Sequence, residues 1–432
     1  MPAEALHRRI EASLVKRKQN GNLRSLDPPL YDPNTLVDFS SNDYLSLSKS
    51  ALLRDRFQRA VASTSNTSPL TPYGPASSRL LDGNSPAHIA LERRLAAFFR
   101  GEAAVLFNSG FDANAGVFAC LPSTSDALFY DELIHASTHD GMRNCRTPIR
   151  RPFRHNSAKD LERLLAHLLD GQADIRQGHS QVFVAVEAVY SMDGDIAPLL
   201  DYVQLLERML PKGNGHLIVD EAHSTGLYGP SGRGLVCALG LEERVLLRLH
   251  TFGKAMSCSG AVLLCSSTLR NYFVNYARPL IYSTVMPFFA VAAITCSLAY
   301  LEEDHADEAI ADLHGLAAYC NQALSTSLRM LDNVSLTPPL PFSVPPHGPP
   351  IPITTPIIPV ITHDPKSLSV HLIKHGFLVR PIAYPTVPRG SERVRICLHA
   401  LNTQDQVDGL VAAIASWAQS QPVQIAVVLP KL

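Results

Sequence analysis

Surplus charge, paired cysteines, a phosphate-binding loop and an unbroken apolar run of membrane length are all missing from this sequence, and each absence removes a class of function. The 38 basic and 39 acidic side chains leave a formal net charge of −1. No basic face is therefore offered to nucleic acid or to an anionic membrane. The eight cysteines include no Cys-x-x-Cys pair and follow no secretory signal. They read as reduced thiols of an intracellular protein, with no disulfide framework and no metal site expected. The first twenty residues are charged, and acids at Glu4 and Glu11 speak against a mitochondrial presequence, so an amphipathic helix is expected there. One uncharged stretch, 279–301, has the length of a membrane span. Tyr282, Ser283, Thr284 and Pro287 interrupt it, however, and a buried helix beginning just after Pro287 is the better expectation.

What the chain does have is an apolar run ending in acid and histidine, Leu217-Ile218-Val219-Asp220-Glu221-Ala222-His223, followed about thirty residues later by Thr251-Phe252-Gly253-Lys254. A second short apolar strand leads into that lysine. This order suits pyridoxal phosphate (PLP): the lysine forms a Schiff base with the aldehyde, and the aspartate keeps the pyridine nitrogen protonated so that the ring accepts electrons. The same acidic strand also looks like the metal-binding strand of a nucleotide hydrolase. That reading requires an upstream Gly-x-x-x-x-Gly-Lys-Ser/Thr loop. The one Gly-Lys pair, Gly253-Lys254, comes after the strand and continues into Ala255, so hydrolysis of nucleotides is set aside.

With 432 residues the chain has room for two or three packed layers. A helix is expected over 3–19 and a short strand over 36–40. From about 86 to 267 helices (87–99, 113–119) alternate with short, apolar, β-branched strands (103–108, 127–130, 182–187, 216–219, 245–249, 259–264). Such strands are buried on both faces, which predicts an α/β fold with a mainly parallel sheet covered by helices. Ligands of such sheets gather outside the carboxyl ends of the strands, where Asp220, His223 and Lys254 fall. Helices over 288–301 and 304–330 lead to a Pro-rich stretch, 337–359, read as an exposed insertion that is neither helix nor central strand. Beyond it, strands at 356–361, 377–381 and 393–398 and helices at 365–375 and 405–419 make a small C-terminal α/β domain. The expected division is an N-terminal segment 1–55, a large domain 56–300, a small domain 301–425 and a tail 426–432.

Read in order, several motifs resemble the α-oxoamine synthases, PLP-dependent transferases of fold type I that join an amino acid to an acyl-CoA with loss of CO₂. They are Phe39-Ser40-Ser41-Asn42-Asp43-Tyr44, Ser78-Arg79-Leu80-Leu81-Asp82-Gly83, Asn108-Ser109-Gly110-Phe111, Asp131-Glu132-Leu133-Ile134-His135, Tyr190-Ser191-Met192-Asp193-Gly194-Asp195, the Asp220/His223 strand, the Lys254 loop, Arg278-Pro279-Leu280-Ile281-Tyr282-Ser283-Thr284 and Tyr384-Pro385-Thr386-Val387-Pro388. The resemblance implies a role for each candidate. Lys254 is the Schiff-base lysine and general base, Asp220 the partner of the ring nitrogen, and His223, with Ser191, the partner of the phenolic oxygen. His135 stacks on the ring. Ser109, Gly110, Phe111 and Thr251 hold the phosphate, with Ser283 and Thr284 reaching it from the partner subunit of a homodimer. Arg395, Asn42 and Thr386 bind substrate. Glu187 receives no chemical role, and Arg393 is read as an exposed strand charge. The implied substrates are L-alanine and pimeloyl-CoA, in biotin biosynthesis. A relative using another amino acid or acyl donor (succinyl-CoA, a long acyl-CoA or a carrier-bound polyketide) is the alternative.

Two departures touch acyl recognition and leave the PLP residues intact. Ala383 stands where many relatives carry an arginine, although Arg380 lies three residues before it, and the turn Tyr73-Gly74-Pro75-Ala76-Ser77-Ser78 lacks repeated glycine. The last three residues, Pro430-Lys431-Leu432, resemble a peroxisomal address read by an import receptor. A peroxisomal location is expected, with the cytoplasm as the alternative.

Overall fold

The six short apolar runs expected between 103 and 264, with one further strand, pair into one sheet. The computed structural model describes residues 4–20, 23, 24, 26, 32, 35–62, 74, 77–329, 336, 337 and 355–421. After a short N-terminal strand β1 (Val37–Asp38), the sheet uses β2 (Ala103–Phe107), β3 (Ala127–Asp131), β4 (Ile149–Phe153), β5 (Val182–Glu187), β6 (Gly215–Asp220), β7 (Leu247–Thr251) and β8 (Ala261–Cys265). The spatial order is β2-β8-β7-β6-β5-β3-β4. Pairs from β7 to β4 are parallel, while β8 is antiparallel to both of its neighbours.

Alternation within each strand feeds two apolar layers. Ala104, Leu106, Val184, Val186, Leu217 and Val219 enter one core cluster. Val105, Phe107, Phe183, Ala185 and Ile218 enter the other. Every residue of β2, β5 and β8 is buried, as helix cover on both faces requires. Register then sets the site: Glu187 lies opposite Asp220, and Asp220 opposite Leu249. The carboxyl ends of the three central strands thus stand level.

The strand β4 was not expected. Its sequence, Ile149-Arg150-Arg151-Pro152-Phe153, holds two charges and a proline, which an edge strand tolerates because one side of its backbone is unpaired. The expected strand 245–249 runs instead from Leu247 to Thr251, because Val245 still closes a short helical turn at Glu242–Arg244. The helix Phe288–Leu301 buries eight of its residues, and among the described residues no helix is long and apolar enough to cross a membrane.

The C-terminal part adds β9 (Leu336–Thr337), β10 (Ile357–Thr362), β11 (Phe377–Leu378), β12 (Arg380–Ile382) and β13 (Arg393–Cys397). An antiparallel sheet of order β12-β13-β10-β9 forms, and β11 pairs with β1 in parallel. The expected strand 377–381 is therefore two strands serving different sheets, divided at the buried Val379. Pro359, expected outside any central strand, lies within β10. There β9 pairs only at Ile361 and Thr362, so the missing N–H breaks no bond to β9. Residues 338–354 of the Pro-rich stretch, Tyr73, Pro75 and Ala76 of the early turn, and the tail from 422 onward lie outside the described residues. The segment after β1 is stitched to the small sheet, with Cys397 N donating to Phe39 O and Ala400 N to Tyr44 O, both at 2.8 Å. This brings Asn42 beside Arg395.

Candidate active site

Asp220 ends β6 with both carboxylate oxygens held. Asn114 Nδ2 donates to Oδ2 at 2.8 Å and the backbone N–H of Ala222 to Oδ1 at 2.9 Å. Asn114 also donates to Ser137 Oγ at 3.0 Å, and Ser137 N–H donates to His135 Nδ1 at 3.2 Å. His135 caps the helix Ala136–Arg143 through that nitrogen, so its neutral form carries the proton on Nε2. Desolvation lowers the His135 pKa, Asp220 raises it and Lys254 lowers it again.

His223 is buried, and its Nδ1 lies 2.8 Å from Tyr44 Oη. Tyr44 Oη donates to Asn42 Oδ1 at 3.3 Å, and Arg395 Nη2 donates to the same oxygen at 3.1 Å. A chain of contacts therefore runs from His223 through Tyr44 and Asn42 to Arg395. Burial drives the His223 pKa well below the usual histidine value, and Lys254, Arg395 and His135 push it further down, which keeps the imidazole neutral.

Lys254 follows β7 in a loop closed by Cys258 N to Phe252 O at 2.7 Å and Ser257 N to Lys254 O at 2.8 Å. Burial lowers its pKa; Asp220 and Glu187 oppose that and Arg395 adds to it. A lysine so placed is the more readily available as a free amine. Glu187 is almost fully buried, and burial first, then the neighbouring Asp220, raises its pKa well above the carboxylate range. Lys254 and the nearby backbone N–H of His135 offset part of that rise. Sequence reasoning gave it no chemistry, yet its place at the end of a central strand was the available signal.

The helix Gly110–Cys120 points its N-terminus at Thr251, since a Cβ added at Gly110 would stand 3.5 Å from the Thr251 side chain. Ser109 caps it, accepting from Asp112 N at 3.0 Å and donating to Asp112 Oδ2 at 2.8 Å. The serine hydroxyl is thus engaged and the Thr251 hydroxyl donates to Gly260 O at 3.3 Å, so the first-turn N–H groups at Gly110 and Phe111 are the donors turned toward an anion, with the Thr251 hydroxyl beside them. Ser283 and Thr284 lie next to this point on the same chain, where Asn108 Nδ2 donates to Thr284 O at 2.8 Å.

Arg395 Nη1 donates to Ser191 O at 2.9 Å, which ties Ser191 to the same cluster. Arg393, expected to be exposed, is buried and pairs with Asp193. The reason is topological, since β13 is an inner strand and Arg393 turns toward the 191–195 turn. Thr386 is exposed and lines a cavity of about 210 Å³ with Arg17, Arg24, Lys366, Ala383 and Tyr384. Among the described residues no hydrogen bond joins Ser283, Thr284 or Thr386 to the Lys254 cluster.

These groups fit PLP by chemistry: an amine for the aldehyde, an acid for the ring nitrogen, imidazoles for the ring and its oxygen, and a helix N-terminus for the phosphate. Fold and site together define a PLP-dependent enzyme of fold type I. Residues 34–414 match the family described as aminotransferase class I and II. The chain is 43% identical over 416 residues to 8-amino-7-oxononanoate synthase of Emericella nidulans, covering 96% of this chain and 95% of that protein. It is 35% identical over 418 residues to aminoacyl transferase sphA of Aspergillus fumigatus, covering 96% and 88%. Among solved structures, serine palmitoyltransferase of Sphingomonas wittichii superposes with a TM-score of 0.75 at 25% identity, covering 97% of each chain. The chain belongs to the α-oxoamine synthases, the PLP-dependent acyltransferases within that family.

Proposed function

We propose that this enzyme condenses L-alanine with pimeloyl-CoA to give 8-amino-7-oxononanoate, CoA and CO₂. The observation that carries the reading is the 43% identity, over nearly the full length of both chains, to a synthase named for that product. In this product the keto carbon and acid chain come from the acyl thioester. The amine-bearing carbon and its methyl group come from alanine after loss of the carboxyl group.

Bound PLP supplies an electron sink for negative charge developing at the amino acid's Cα. Lys254 would hold the cofactor covalently, Asp220 would sustain the proton on its ring nitrogen, and His223 and Ser191 would bond its phenolic oxygen. His135 would cover the ring face. Gly110, Phe111 and Thr251 would take the phosphate. Arg395, steadied by Ser191 O and Asn42 Oδ1, grips the alanine carboxylate with its planar fork. Once the alanine amine has displaced it from the cofactor, the freed Lys254 Nζ would remove the Cα proton, and Cα would then attack the thioester carbonyl as the CoA thiolate departs. After CO₂ leaves, Lys254 returns a proton to the same carbon.

The far carboxylate of a pimeloyl chain asks for a cation. With Ala383 in place of the expected arginine, support for this reading comes from Arg17, Arg24 and Lys366 around the cavity that also holds Ala383 and Thr386. The same Ala383, with the 35% identity to an aminoacyl transferase, favours a second reading in which a different acyl group is used. The proposal includes a homodimer in which Ser283 and Thr284 reach the neighbouring site, and import into peroxisomes through Pro430-Lys431-Leu432. Rates with L-alanine, glycine and L-serine against acyl-CoAs of graded length, with and without a terminal carboxylate, test the substrate assignment. A preference for alanine with the seven-carbon diacid thioester is expected. Preference for an uncharged long acyl-CoA establishes the second reading instead.

A further inference from the structure

Two turns meet behind the site, and neither has a role so far beyond the residue it presents. The turn after β3 leads to His135. The 190–195 turn carries Ser191, whose carbonyl receives Arg395. His155 joins them: its Nδ1 lies 2.9 Å from Asp131 Oδ1 and its Nε2 lies 3.0 Å from Asp195 Oδ2. Asp131 is fully buried and shapes its own turn, accepting from Leu133 N at 2.9 Å and from Asn156 N at 2.8 Å. The Tyr190 ring stands edge-on to the imidazole at 4.5 Å. Two carboxylates can be satisfied together only when both ring nitrogens donate. Burial opposes that charge, but the bonds to Asp131 and Asp195 outweigh it and raise the His155 pKa to about 10.

The same turn is gripped from its other side. Asp193 pairs with Arg393 on β13, and Met192 O accepts from that guanidinium at 3.2 Å. Gly194 has φ 72°, and a Cβ there would collide with Ile357 O of β10 and with Thr355 Oγ1. Arg393 and Arg395 are two residues apart on one strand and so face the same side. The 190–195 turn is thus clamped between a histidine in the turn after β4 and an arginine of the small sheet, with Arg395 resting on it.

We propose that His155 is a positioning residue: the Asp131–His155–Asp195 bridge fixes the 190–195 turn, and through Ser191 O it fixes the guanidinium of Arg395 for the amino-acid carboxylate. The inference rests on the reading of Arg395 as the carboxylate-binding residue, and its test separates the two. L-Alanine is titrated into cofactor-loaded enzyme and binding is followed by the change in cofactor absorbance, with the KM for acyl-CoA measured alongside. In His155→Gln one donor and the charge are lost. Alanine affinity should fall on the order of tenfold, because small displacements of a positioning group are costly, while cofactor content and the acyl-CoA KM stay as in the parent enzyme. Unchanged alanine affinity in the loaded variant overturns the proposal. If His155→Gln does not fold or does not retain PLP, Asp195→Asn decides: it keeps an acceptor oxygen and removes only the charge, and parental alanine affinity there overturns the proposal equally. Arg395→Lys serves as the reference. Should it leave alanine binding intact, the reading of Arg395 fails first; should it weaken binding while both other variants do not, the bridge alone is refuted.

Discussion

Replacing Asp220 by Asn alters the site by the smallest shape change and the largest electrostatic one. The carboxylate accepts from Asn114 at 2.8 Å through one oxygen and from Ala222 N–H at 2.9 Å through the other. An amide keeps one acceptor and turns its NH₂ toward a donor, a misfit of about 1–3 kcal/mol for a buried polar group. That cost falls on the folded enzyme at every stage and leaves the barrier nearly untouched. The lost charge acts on the barrier itself. A unit charge about 4 Å from a cation, at an effective dielectric near 20, contributes about 4 kcal/mol, which is about three powers of ten in rate. The assay is exchange of the L-alanine Cα proton in deuterated water, read by NMR, because it needs no acyl donor and so does not depend on which thioester the enzyme prefers. Asp220→Asn should retain fold and bound cofactor while exchange slows by about that factor. Exchange close to the parent rate in a folded, cofactor-loaded variant would refute the role given to Asp220.

Lys254→Ala should lose the visible absorbance of the lysine-bound cofactor together with turnover while the fold is retained; persistence of both signals would place the cofactor on another lysine. The His155 pKa is raised above its unfolded value, so its contribution to stability is complete below about 6.5 and is lost as pH rises through about 10. Denaturant unfolding across that window should show a decline of a few kcal/mol, on the order set by the shift, that His155→Gln lacks, and parallel curves for the two proteins would contradict the Asp131 and Asp195 bridge. Deleting Pro430-Lys431-Leu432 should move the protein to the cytosol without altering activity, and the last dozen residues should carry an inert reporter into peroxisomes; a reporter that stays cytosolic removes the address.

Much of the architecture was legible because parallel strands under helices write themselves as short apolar runs. The strand Val182–Glu187 and the helix Phe288–Leu301 lie where the sequence placed them, residue for residue. Asp220, His223 and Lys254 were legible for a related reason, since polar groups that end an apolar strand are raised to the carboxyl edge of the sheet. What escaped was decided by distant neighbours. The strand at Ile149–Phe153 was not expected because two arginines and a proline fill its middle and leave no apolar pattern to display. Arg393 reads as an exposed charge until Asp193, two hundred residues away, is folded against it. Glu187 looks like an ordinary strand-end acid, and only the register that sets it opposite Asp220 gives it a place in the site. Tyr44 and Asn114 stand within or beside recognisable motifs, yet their bonds to His223 and Asp220 span 179 and 106 residues.

As proposed, the enzyme joins the Cα of alanine to a seven-carbon diacid and then releases the alanine carboxyl group as CO₂. A single reaction tests it: carboxyl-labelled L-alanine and pimeloyl-CoA are incubated with the PLP-loaded enzyme, and the released gas and the product are analysed by mass spectrometry. The account predicts label in CO₂ only when pimeloyl-CoA is present, and an unlabelled product with the mass of 8-amino-7-oxononanoate that retains the alanine nitrogen. Label retained in the product, or the same release of labelled CO₂ without any acyl donor, would contradict it.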